Sequence, residues 1–234
     1  MKNSYQYKWR FWKESALALN YFKHQLFTEK ANKVLSRLDE RFKSQLNANL
    51  ESDSYIIEIQ STEQFLQKVE ALLIEFQFNG LVKRSATLAE GPAKIISTKD
   101  SFGRHIKVGE IINNRFISIP RFELFKYLLE LEEGALPFTI SPLQCVIVSN
   151  CARTKVHENF ENRLKKHAIF YDTLSKEADL RQLIKSAAKL KAPFIAIISH
   201  REVETQTIAL RKRKIGDIGQ FKVNQYPEIF YNCG

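Results

Sequence analysis

Residues 143–149, Leu-Gln-Cys-Val-Ile-Val-Ser, are a short, mostly apolar run that follows Ser141-Pro142 and opens a new pattern in the chain. The run is too short for a buried helix and rich in β-branched residues, so it reads as a strand. Lys155 to Lys166 then reads as a helix, Ala168 to Tyr171 as a strand and Asp179 to Leu190 as a helix. Phe194 to Ser199, behind Pro193, is a strand apolar along most of its length, and Glu204-Thr205-Gln206 turns into a last strand from Thr207 to Arg213. Alternation of this kind predicts an α/β layer fold, with a mostly parallel sheet covered by helices.

The chain upstream is organised differently. Phe11, Ser15, Ala18, Phe22 and Leu26, then Val34, Leu35, Leu38, Phe42 and Leu46, recur every three or four residues and predict helix over residues 10–50. An aromatic cluster from Tyr5 to Trp12 precedes it. Tyr55 to Ile59 predicts a strand and Glu63 to Phe76 a helix that stops at Gly80, the residue suited to a left-handed exit. Ala93 to Thr98 and Arg104 to Ile111 read as strands joined by the turn Lys99 to Gly103. A further helix from Phe122 to Leu131 ends before Gly134 and Pro137. Three segments are therefore expected: a helical one at 1–54, an α+β one at 55–137 and the α/β domain at 138–234.

Net charge is +10 over 234 residues, and it is unevenly placed. Residues 1–50 carry +6, residues 51–140 carry −3 and residues 141–234 carry +7. Basic ends point to a polyanion partner, because Lys and Arg gain affinity by releasing counterions from phosphates. No stretch approaches the roughly 20 apolar residues that cross a bilayer, so no membrane partner is expected. Cys145, Cys151 and Cys233 lack Cys-x-x-Cys spacing, and the five histidines are scattered, so neither a structural metal nor a cofactor is expected. The sparse cysteines suit a reducing compartment, with the cytoplasm the expected location and the mitochondrion the alternative.

Gly134-Ala135-Leu136-Pro137 followed by Ser141-Pro142-Leu143-Gln144 resembles the junction that joins the catalytic and anticodon-binding domains of threonyl-tRNA synthetases. Ala178 to Arg181, Lys191 to Phe194, Arg201 to Glu204, Thr207 to Arg213 and Gly216 to Gly219 follow the same family in order. Glu90 to Ile95 and Lys99 to Arg104 resemble the stretch after motif 2 of threonyl and prolyl enzymes. The chain from about residue 55 onward thus resembles the C-terminal half of a class IIa aminoacyl-tRNA synthetase. The resemblance implies a mixed five-stranded sheet with three helices that binds tRNA or tRNA-like RNA. It assigns base contact to Glu202 and Arg211, with phosphate attraction from Lys212, Arg213 and Lys214. An Arg fork and a carboxylate acceptor suit the edges of unstacked bases. One departure is Glu177, which stands where the family has an Asn.

The resemblance weakens where amino-acid activation is expected. Motifs 1 and 2 find no match, and the ATP-binding arginine of motif 3 falls on Glu123, a reversed charge toward a polyphosphate. Arg121-Phe122-Glu123 spells Arg-x-Glu but opens a helix, away from any motif 2 loop, and the zinc-ligating His of the family falls on Asn114. No catalytic residue is assigned. The expected function is tRNA binding without stand-alone activation, with a homodimer or a synthetase partner as further company. Two alternatives share the same residues: a split or partner-dependent threonyl/prolyl-type ligase component, and a synthetase-like accessory subunit of an organellar DNA polymerase.

Overall fold

The computed structural model describes residues 22–23, 26–27, 29–59, 62–76, 82–88, 91–99, 105–131, 134–176, 179–225 and 229–230. The aromatic cluster Tyr5 to Trp12, Gly80, Glu90, Asp100 to Arg104, Glu177, Ala178 and Cys233 lie outside the described residues. The chain divides into two compact units, Met1–Gly134 and Ala135–Gly234.

In the first unit a short antiparallel pair, β1 (Phe22–Lys23) and β2 (Leu26–Phe27), precedes helix α1 (Glu29–Leu46). The helix expected over residues 10–50 is therefore shorter where it is described. Its buried residues are Ala31, Val34, Leu35, Leu38, Phe42 and Leu46, the spacing read from the sequence. The helix stops because Asn47 takes φ of 50°, a left-handed conformation that Asn tolerates and that breaks the helical path. Six strands follow: β3 (Asn49–Glu51), β4 (Ser54–Glu58), β5 (Val82–Leu88), β6 (Gly91–Lys99), β7 (His105–Ile112) and β8 (Phe116–Pro120). They form an antiparallel sheet in the order β3-β4-β8-β7-β6-β5, accompanied by α2 (Thr62–Glu75) and α3 (Arg121–Leu131). Phe42 stacks on Tyr55 at 4.0 Å, and the Tyr55 hydroxyl donates to Asp39 at 2.7 Å. Arg121 grips the same carboxylate through Nε and Nη2, so the Arg-x-Glu triplet is a clamp between α1 and α3. Glu123 pairs with Lys126 one turn along.

The second unit holds β9 (Cys145–Ser149), α4 (Lys155–Lys166), β10 (Tyr171–Ser175), α5 (Leu180–Lys189), β11 (Phe194–Ile198), α6 (His200–Thr205), β12 (Thr207–Lys212) and β13 (Gly216–Lys222). The sheet runs β10-β9-β11-β12-β13, parallel across the first three strands and antiparallel across the last two. Among the described residues the sheet is thus mixed and five-stranded, as the family resemblance implies, whereas alternation alone predicts a mostly parallel one. The hairpin β12–β13 accounts for the difference, since it returns without a crossover helix. Strand β10 begins at Tyr171 rather than Ala168. Ala168 has φ of 53° and Ile169 N–H donates to Leu164 O, so these residues complete the exit from α4.

Every residue of β9 is buried, and its side chains alternate between two apolar clusters. Cys145 and Ile147 join Phe160, Leu164, Phe194, Ile208, Leu210 and Phe230 on one face. Val146 and Val148 join Leu183, Ala187 and Ala192 on the other. Layers on both faces are what a continuous apolar strand requires.

The turn after β9 is held by a buried imidazole. His157 is 3% exposed. Its Nδ1 accepts from Thr154 N–H at 3.2 Å, which leaves Nε2–H facing Ser149 Oγ at 2.9 Å. Burial, then the nearby Arg153, lower its pKa below the ordinary 6.5. The unfolded chain therefore takes up this proton first as pH falls. The stability contributed by neutral His157 is complete above about pH 6.5 and is lost as pH drops through the lower folded-state pKa. Urea midpoints at pH 7.5 and 5.5 should diverge less for His157→Gln than for the parent; equal divergence would dismiss this account.

Candidate nucleic-acid interface

Strand β12 places its side chains by simple alternation. Ile208 and Leu210 point into the core that contains Phe160 and Phe194. Thr207, Ala209 and Arg211 consequently turn to the opposite face. On β13 their cross-strand partners are Lys222, Gln220 and Asp217, all exposed. The register slips between Leu210 and Arg211, across from Gly219 at φ of 116°. A bulge of this kind re-aims the side chains beside it, and glycine supplies the positive φ. It sets Arg211 opposite Asp217.

Between this hairpin and α5 lies a cleft of about 290 Å³. Ile184, Ala188, Ala192 and Ile195 give it an apolar floor, and Lys185, Arg211, Lys212, Arg213 and Lys214 line its walls. Among the described residues, none forms a hydrogen bond or ion pair with the side chain of Arg211 or Lys212. An apolar slot beside a guanidinium fork and two or three ammonium groups can take a planar heterocycle attached to a phosphate.

Two of the five residues assigned from the sequence are committed to the protein itself. The Arg213 guanidinium donates to Lys191 O, to Ala135 O at 2.6 Å and to Leu136 O at 2.9 Å. It fastens the hairpin base to neighbouring backbone instead of facing a phosphate. Glu202 is 4% exposed. Its Oε2 accepts from Ser199 N–H at 3.1 Å and from Ser199 Oγ, closing a capping box on α6. Its Oε1 accepts from Gln220 Nε2 at 2.7 Å. Arg211, Lys212, Arg213 and Lys214 all line the cleft, Arg213 with its guanidinium tied to backbone carbonyls, and Glu202 does not. Lys185 and Gln220 were missed by sequence reasoning. A lysine on an amphipathic helix and a glutamine in a polar strand carry no local signal; only the packing of α5 brings Lys185 to the cleft, and only the pairing of β13 brings Gln220 to the face of Arg211.

The five-stranded mixed sheet and its flanking helices make the second unit an α/β domain. Residues 144–231 match the family model described as "Anticodon binding domain". The threonine–tRNA ligase of Pseudomonas syringae pv. syringae is 33% identical over 107 residues, which cover 44% of this chain and 45% of that protein. The threonine–tRNA ligase of Natranaerobius thermophilus is 31% identical over 107 residues, covering 45% of this chain and 16% of its own length. The chain thus spans less than half the length of these relatives. Among solved structures, the RNA binding domain of threonyl-tRNA synthetase from Cryptosporidium parvum Iowa II superposes with a TM-score of 0.55 at 18% identity, over 87% of this chain and 60% of that one. Prolyl-tRNA synthetase from Cryptosporidium parvum gives 0.55 at 12% identity, over 76% and 47%. The second unit matches an anticodon-binding domain, the chain is similar in sequence to threonine–tRNA ligases, and it shares its fold with the solved threonyl- and prolyl-tRNA synthetase structures.

Proposed function

We propose that this chain is a tRNA-binding relative of class II synthetases that holds RNA on the β12–β13 face and does not activate an amino acid alone. The observation that carries the reading is the cleft itself, where Arg211 and Lys212 stand beside an apolar floor in the region that matches an anticodon-binding domain. Arg211 contacts a loop base and, through its remaining donors, a phosphate, Lys185, Lys212 and Lys214 attract the adjoining phosphates, and the apolar floor receives a base turned out of its stack. Arg213 and Glu202 act behind this surface by fixing its backbone. Glu123, paired with Lys126 at the first turn of α3, supports the absence of stand-alone activation, because it stands where the family resemblance expects an arginine and offers a nucleotide polyphosphate no cationic donor.

Fluorescence anisotropy with labelled total tRNA should show saturable binding by the whole chain. Arg211→Ala should weaken it by about 1–3 kcal/mol, the magnitude of one base contact. Unchanged affinity would remove Arg211 from the interface. The same preparation should give no amino-acid-dependent exchange of pyrophosphate into ATP. Exchange by the isolated chain would overturn the second half of the proposal, and exchange appearing only with an added polypeptide would identify a partner-dependent ligase component.

A further inference from the structure

Glu202 is the acid that the family resemblance assigns to base contact, yet both of its oxygens are occupied inside the protein. What this arrangement leaves facing outward is a different acceptor. Gln220 is exposed on β13, directly across from Ala209 and therefore on the same face as Arg211. Glu202 Oε2 accepts from both the N–H and the hydroxyl of Ser199, and its Oε1 accepts from the Gln220 Nε2 donor. The orientation of the amide is thereby fixed by chemistry, and the Gln220 carbonyl oxygen is turned away from Glu202.

We infer that Gln220 is a specificity-determining residue, and that Glu202 is the positioning residue that holds its carbonyl outward as a base-reading acceptor. The preferred partner is a base that carries an exocyclic amino group, read as a donor by Gln220 Oε1, with Arg211 supplying donors to an acceptor on the same nucleotide or its neighbour. The inference rests on the RNA-binding reading above and deepens it. A carboxylate at the surface would accept a base donor but also repel the approaching phosphates, whereas a neutral amide backed by a buried acid presents the acceptor without the surface charge.

The test uses the whole chain and RNA hairpins in which each loop base with an amino group is replaced, one position at a time, by its deamino analogue: guanine by hypoxanthine, adenine by purine, cytosine by pyrimidin-2-one. At one loop position the replacement should weaken binding by the parent protein about tenfold, the scale of one base-edge contact. Gln220→Ala should bind both RNAs alike at that position, so the penalty disappears in the double-mutant cycle. Glu202→Gln keeps the capping geometry but releases the amide to turn over, and it should shrink the same penalty. If Gln220→Ala retains the full penalty at every position, the inference is overturned while the RNA-binding reading stands. If the parent binds no hairpin and no tRNA, both fall.

Discussion

Phe194→Ala should lower the stability of the second unit by about 3–5 kcal/mol, the cost of emptying a fully buried aromatic site. Phe194 is 0% exposed and begins β11, the strand that joins the parallel and antiparallel halves of the sheet. Its ring meets Phe230 edge-on at 4.7 Å and Phe138 at 5.6 Å, and those two rings lie parallel 5.8 Å apart. Removing the central ring leaves both neighbours facing a void, and its backbone partners Cys145 and Lys212 tie the damage to β9 and β12. A domain of this size usually has only about 5–15 kcal/mol of stability, so the loss is a large share of the whole. For a 100-residue unit each kcal/mol moves the melting temperature by about 4–8 °C, which puts the expected drop at about 12–40 °C. Phe194→Leu, which keeps most of the volume, should cost much less. Phe170→Ala, at a site 43% exposed, should be nearly silent. Scanning calorimetry distinguishes these, and a drop below about 5 °C for Phe194→Ala would contradict the packing described. Because Phe194 lies on the face opposite Arg211, the folded fraction of the variant should keep its RNA affinity at low temperature.

The same residues show how far the sequence could be read. The apolar runs at 145–149 and 194–198 announced buried strands because both faces of each are covered. The helices around them were legible from the spacing of residues such as Val156, Phe160 and Leu164. Strand β13, Gly-Asp-Ile-Gly-Gln-Phe-Lys, carries no strand signal in the sequence, since its polar composition reflects an exposed edge and a bulge rather than a core. Strand β8 was also missed. Its clearest signal lay outside it, in Asn113 and Asn114 with φ of 51° and 53°, a left-handed pair that turns β7 back on itself. At the site, residue type nominates groups for RNA contact. It could not tell which were already engaged, and that is where Glu202 and Arg213 depart from expectation. Short polar side chains at helix starts, and arginines near backbone carbonyls, find partners within the chain, and those partners are fixed only by tertiary packing.

Raising the salt concentration from 50 to 200 mM should weaken RNA binding about 50-fold. The number follows from the cations at the cleft. Lys185, Arg211, Lys212 and Lys214 can meet four phosphates of a single-stranded loop, and each such contact contributes about −0.7 to the slope of log affinity against log salt. Four contacts give a slope near −2.8, and a fourfold rise in salt then costs roughly 50-fold. The variant Lys185→Ala/Lys212→Ala should halve the slope, so that the same change in salt costs only about sevenfold. The comparison of slopes is more telling than a single affinity, because it counts charges and is insensitive to lost packing. It also separates the cleft from the general basicity of the chain: residues 1–50 carry +6 of their own, and a phosphate site built there would leave the double variant with the parent's slope. A slope that does not change would move the RNA off the β12–β13 face. A slope that halves while the deamino penalty at Gln220 persists would place phosphate attraction and base reading on separate side chains of one surface, which is how a protein holds RNA tightly and still distinguishes its bases.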